Sequence, residues 1–81
     1  MNQEPRISID PEIYHGKPCI KGTRIAVYLI LEMIEYEMSF DQILEEYPHL
    51  TKDDIKACIR FAKNLVKNEE ITPLVTTRIS P

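Results

Sequence analysis

The chain has no tryptophan and only two phenylalanines among its 81 residues, so any core it builds is mostly aliphatic. Glycine is equally scarce, and no glycine-rich loop leads from a strand into a helix, which removes the usual phosphate-cradling motifs. The two cysteines, Cys19 and Cys58, lack the number and spacing of a disulfide framework or a zinc site. Each sits among apolar residues and reads as a small buried hydrophobe. No apolar run approaches the ~20 residues of a membrane span, and the polar start, Met1 to Arg6, has no signal-peptide core, so a cytoplasmic location is expected. Positive charge is also in deficit: ten Lys and Arg stand against thirteen Asp and Glu, a net charge of −3. A DNA-binding domain is ordinarily basic overall, so any nucleic-acid role must rest on how the charges are arranged. A chain this short hides little more than ~60% of its unfolded surface, and a second copy is a common source of further stability.

What is present divides into a short N-terminal hairpin region over 6–25, three helices over 26–67, and a tail over 71–81. Residues 1–70 form one domain. Arg6-Ile7-Ser8-Ile9 alternates polar and apolar and ends at the Asp10-Pro11 turn; Cys19-Ile20 is a second extended step after the Gly16-Lys17-Pro18 turn. Neither strand is long enough to stand without helices packed on it. The first helix is expected from about Ala26 to Tyr36, with Thr23 a candidate for its cap. Leu29, Met33, Ile30, Ile34, Val27 and Leu31 spread around roughly 200° of its wheel, wider than the stripe a surface helix needs. That helix is either the centre of the domain or part of a subunit interface.

The second helix opens at Ser39, which with Gln42 spells a capping box, while Met38 and Ile43 are spaced as a hydrophobic staple. Pro48 ends it. Thr51 caps the third helix, whose first turn carries Asp53 and Asp54 where the helix dipole favours negative charge. Ile55, Cys58, Ile59, Ala62, Leu65 and Val66 are expected to form its apolar face. The tail, with β-branched residues and Pro73 and Pro81, favours an extended form that orders on a partner.

The feature richest in chemistry lies opposite that apolar face. Lys52, Lys56, Arg60, Lys63 and Lys67 fall within roughly 80° of one another on the helix wheel, half of all the basic residues. A polyanion such as the DNA backbone complements such a stripe, and so does plain water around a solvated face. Asp53 and Asp54 near its start argue against phosphate. A second cationic group, Lys17, Lys21 and Arg24, lies around the Gly16 and Gly22 turns, where Arg24 has Asp10 or Glu32 as a local partner. Adjacent helical residues point ~100° apart, so neither Glu45-Glu46 nor Asp53-Asp54 converges on one ion. His15 and His49 are isolated. No catalytic cluster, metal site or cofactor site is expected.

The segment Gly16-Lys17-Pro18-x-Ile20-x-Gly22-Thr23-Arg24-Ile25-x-Val27, followed by Ser39, Ile43-Leu44, Tyr47-Pro48-x-Leu50-Thr51 and Asp54-Ile55, resembles a widespread prokaryotic family, domain of unknown function 433. The resemblance runs from Ile7 to about Val66. It implies a mainly α, trihelical helix-turn-helix fold of winged-helix or homeodomain type with a short N-terminal β-hairpin, often dimeric. It further implies an antitoxin of a type II toxin–antitoxin pair, acting beside a PIN-like ribonuclease toxin, with Thr51 to Lys67 as the DNA-recognition helix. Gly16, Lys17, Pro18, Gly22, Thr23 and Arg24 are the family motif. The chain departs from the pattern at Ala26, where proline is common, and at Glu37, where glycine is common; the second departure puts a left-handed turn between the first two helices in question. Two functions follow from these readings: a DNA-binding regulator that neutralises a toxin, or a protein-interaction module with no DNA role.

Overall fold

The computed structural model describes residues 4–68; the tail expected over 71–81 lies outside the described residues. Strand β1 (Ile7–Ser8) pairs antiparallel with β2 (Cys19–Ile20), with Ile7 opposite Ile20 and Ser8 opposite Cys19. Three helices follow: α1 (Val27–Glu35), α2 (Phe40–Glu46) and α3 (Lys52–Asn68). The fold is thus mainly α with a small hairpin ahead of the helices, as the sequence leads one to expect.

The hairpin is held on both flanks. Beyond its pairing with β1, β2 meets the entry to α1: the Ile20 amide donates to the Ile25 carbonyl at 2.9 Å, and the Val27 amide to the Pro18 carbonyl at 2.9 Å. Thr23 does not cap α1. Its hydroxyl donates to the Ile20 carbonyl at 2.7 Å and accepts from the Ile25 amide at 2.9 Å, closing the Gly22 turn (φ +81) instead. Ala26 stands at the N-cap with no side-chain bond, and the loop supplies the partner of one first-turn amide, that of Val27.

The turn after α1 is left-handed despite the missing glycine. Glu37 adopts φ +67, the Glu37 amide donates to the Ile34 carbonyl at 2.8 Å, and the Met38 amide donates to the Met33 carbonyl at 3.1 Å. These two bonds form a Schellman motif, and Met33 and Met38 both pack on the core. Burial of the methionines offsets a backbone cost of roughly 1–2 kcal/mol for a non-glycine residue in this region. The family departure at position 37 therefore leaves the turn intact.

The two caps of the helix pair are closed rings. Ser39 Oγ accepts from the Gln42 amide at 3.1 Å while Gln42 Oε1 accepts from the Ser39 amide at 2.8 Å. Thr51 and Asp54 do the same at the start of α3, at 3.3 and 2.9 Å. Between them, the Leu50 amide turns back to the Tyr47 carbonyl at 2.9 Å. The core enclosed by α1, α2, α3 and the hairpin is Ile20, Val27, Ile30, Ile43, Leu50, Ile55, Cys58 and Phe61. Taken as whole residues, none of the polar residues described is buried.

The buried face of α3 differs from the expected one. Ile55, Ala57, Cys58 and Phe61 are buried, whereas Ile59, Leu65 and Val66 are exposed. On a wheel of 100° per residue the face has turned by roughly 70° toward Ala57 and Phe61. The neighbours decide this: α1, α2 and β1 all contact α3, and Leu65 and Val66 stay outside that core.

Candidate nucleic-acid interface

The capped connection Tyr47 to Thr51 sets α3 against α2 and leaves one long face of α3 open to water. Lys52, Lys56, Arg60, Lys63 and Lys67 are all exposed there. Lys56, Ile59, Arg60 and Lys63 line one shallow hollow of about 220 Å³. Ile59, expected in the core, is instead an apolar floor between cations.

The N-terminal segment meets one edge of this face, which sequence spacing gave no reason to expect. Arg60 donates from Nε to Glu4 Oε1 at 2.7 Å and from Nη2 to Glu4 Oε2 at 3.2 Å. The Glu4 side chain is 7% exposed and the Arg60 side chain 46%. Paired this way, Glu4 is held below the ordinary carboxylate range, chiefly by its hydrogen bond from Arg60, against the opposing effect of burial. The same bond raises the guanidinium of Arg60. Two residues on, Arg6 donates from Nη1 to Asp54 Oδ1 at 3.0 Å and stands 3.7 Å from Asp53 Oδ2.

These contacts redistribute charge without changing its total. Arg60 is neutralised by Glu4, and the acidic pair that opposes phosphate, Asp53 and Asp54, is partly offset by Arg6. Among the described residues Lys52, Lys56, Lys63 and Lys67 take part in no ion pair. The face therefore carries four free ammonium groups and one guanidinium already held by a carboxylate.

The motif loop does not join this face. Gly16 (φ +83) follows Tyr14 (φ +52) and His15 (φ +58), a left-handed run of three held by Tyr14, whose hydroxyl lies 2.7 Å from that of Tyr28 and whose ring stacks on it at 6.1 Å. Lys17 and Pro18 then form one wall of an apolar groove of about 250 Å³, with Val27, Tyr28 and Leu31 of α1 and Phe61, Ala62 and Leu65 of α3. On the helix wheel these α3 residues lie roughly 170° from the centre of the basic stripe. Gly22 and Thr23 serve the turn described above. Arg24 is exposed and makes no ion pair with Asp10 or Glu32.

Both thiols are buried and unpaired. Burial pushes Cys19 up, and Cys58, with Asp54 and Glu4 adding to the effect of burial, is pushed up to about 12. Among the described residues no three His, Cys, Asp or Glu lie close enough together to hold a metal ion, and no helix is long and apolar enough to cross a membrane.

A family model described as protein of unknown function (DUF433) matches residues 7–62. The chain is also similar to a crystal structure of a DUF433 member protein from Anabaena variabilis, at 27% sequence identity and a TM-score of 0.71, over 82% of this chain and 64% of that one. It thus spans less than two thirds of that relative's length. No curated protein shows significant similarity to it.

Proposed function

From the premise that this chain belongs to the DUF433 family, whose function is open, we propose that it acts by binding, not catalysis, and binds duplex DNA through the exposed face of α3. The observation that carries this reading is the row of four lysines, in no ion pair among the described residues, along a helix presented by a doubly capped helix-turn-helix, with the opposing Asp53 and Asp54 partly offset by Arg6. Each phosphate that a lysine neutralises releases a condensed counterion, so even an acidic chain gains affinity from a locally cationic face. The role as an antitoxin regulator beside a PIN-like toxin rests on the family resemblance.

The apolar groove favours a second, compatible reading. Lying on the far side of α3, it leaves room for a protein partner, a toxin or another copy of this chain, while DNA occupies the basic face. If the groove is the whole site, the chain is an interaction module that binds no duplex.

Fluorescence anisotropy of labelled duplexes across a salt series separates the two. Binding that weakens steeply between 50 and 200 mM salt is the expected outcome. No binding to any duplex at 50 mM overturns the DNA reading and leaves the interaction module.

A further inference from the structure

The pairing of Glu4 with Arg60 selects which donors of the guanidinium remain. Glu4 takes Nε and one hydrogen of Nη2, which are the donors on one side of the fork. The end-on edge, one hydrogen of Nη1 and the second hydrogen of Nη2, is uncommitted by that pairing on a side chain that stays 46% exposed. Guanine presents two acceptors, N7 and O6, in the major groove, and an arginine edge with two parallel donors fits them bidentately.

We infer that Arg60 is the sequence-reading residue of this face, directed at a guanine in the major groove, and that Glu4 is the positioning residue that holds its free edge outward. This rests on the DNA reading above and goes beyond it, from affinity to specificity. Charge makes the argument sharper. An arginine already neutralised by a carboxylate is a poor ligand for the phosphate backbone, which attracts by net charge. It keeps its directional donors, which is what a base edge reads. Glu4 also holds the side chain in one geometry before DNA arrives, so less rotamer freedom is lost on binding. Arg60 stands midway along α3, with Lys52 and Lys56 before it and Lys63 and Lys67 after it. The free lysines thus bracket the reader, in the positions where phosphate contacts would set the register of the helix.

The test is selection of binding sites from a randomised duplex library by the full chain, followed by anisotropy with the selected duplex, a guanine-to-adenine variant of it and a scrambled duplex. Wild type is expected to select a site with a fixed guanine and to bind the adenine variant roughly 5- to 150-fold more weakly. Arg60→Met keeps a long stem and the helix but has no donors, lysine being itself able to read guanine; it is expected to lose the guanine preference. Glu4→Ala is expected to move two readouts in opposite directions, weakening the selected duplex while strengthening the scrambled one, because a cation is released as its orientation is lost. A merely repulsive carboxylate, once removed, strengthens both duplexes alike, and that result overturns the inference. So does a guanine preference that survives Arg60→Met, with thermal melting confirming that the variants are folded. Wild type that binds every duplex alike overturns the inference and keeps the DNA reading; wild type that binds none at 50 mM salt overturns both.

Discussion

Replacing Lys56 and Lys63 with glutamine removes half of the α3 cations that are unpaired among the described residues, while keeping a polar side chain of similar helix propensity. Both residues flank Arg60 on the exposed face and neither is in an ion pair among the described residues, so the fold loses little. The affinity of a cationic face for B-DNA falls with salt at a logarithmic slope of about −0.9 per phosphate neutralised. Four free lysines set that slope near −3.6, and raising salt from 50 to 200 mM then weakens binding by roughly 150-fold. The double variant retains two, which gives a slope near −1.8 and a loss of only about 12-fold over the same range. If Arg60 were free and counted as a fifth cation, wild type would instead lose about 500-fold. The wild-type value therefore also reports whether Glu4 neutralises Arg60 in solution. Anisotropy titrations of one labelled duplex at four or five salt concentrations measure both slopes. A double variant with the wild-type slope would refute the assignment of the face, because the phosphates would then be neutralised elsewhere.

Three further outcomes follow from the rest of the molecule. Glu37→Gly relieves a φ of +67 in a turn whose bonds are backbone only; it is expected to raise stability by about 1 kcal/mol in urea unfolding, and a loss of stability would show that the side chain matters more than the backbone. Cys58, pushed up to about 12, holds ~10⁻⁴ of its thiol as thiolate at pH 8, so a disulfide-exchange reagent is expected to modify it orders of magnitude more slowly than an unfolded control; equal rates would contradict its burial. Glu4 has a depressed folded value, so the stability from its pair with Arg60 is present above the unfolded carboxylate value of about 4.3 and is lost as pH falls through the folded value. The gap in urea midpoint between wild type and Glu4→Gln should accordingly shrink below about pH 4, whereas a gap independent of pH would mean that the ion pair contributes nothing.

The features legible in the amino-acid sequence are local ones. Capping rings, the proline stop at Pro48 and the spacing of the basic stripe each depend on residues a few positions apart, and a helix brings such residues together whatever else the chain does. The two helix starts, the extents of all three helices and the exposure of Lys52, Lys56, Arg60, Lys63 and Lys67 follow for that reason. Even the hairpin was legible, because alternation and turn residues mark its strands.

Packing between segments distant in sequence set the rest. Nothing in the spacing of Glu4 and Arg60, fifty-six positions apart, or of Arg6 and Asp54, signals that they meet; β1 has to be laid along α3 first. The face of α3 that enters the core turned toward Ala57 and Phe61 because α1 and β1 lie on that side, and a helix wheel has no knowledge of its neighbours. Thr23 serves its own turn, while the Pro18 carbonyl of the loop takes the Val27 amide in the first turn of α1. Glu37 stayed left-handed because Met33 and Met38 are held by the core on either side of it. Each of these is a choice among locally equivalent options, made by the burial of apolar surface between segments distant in sequence.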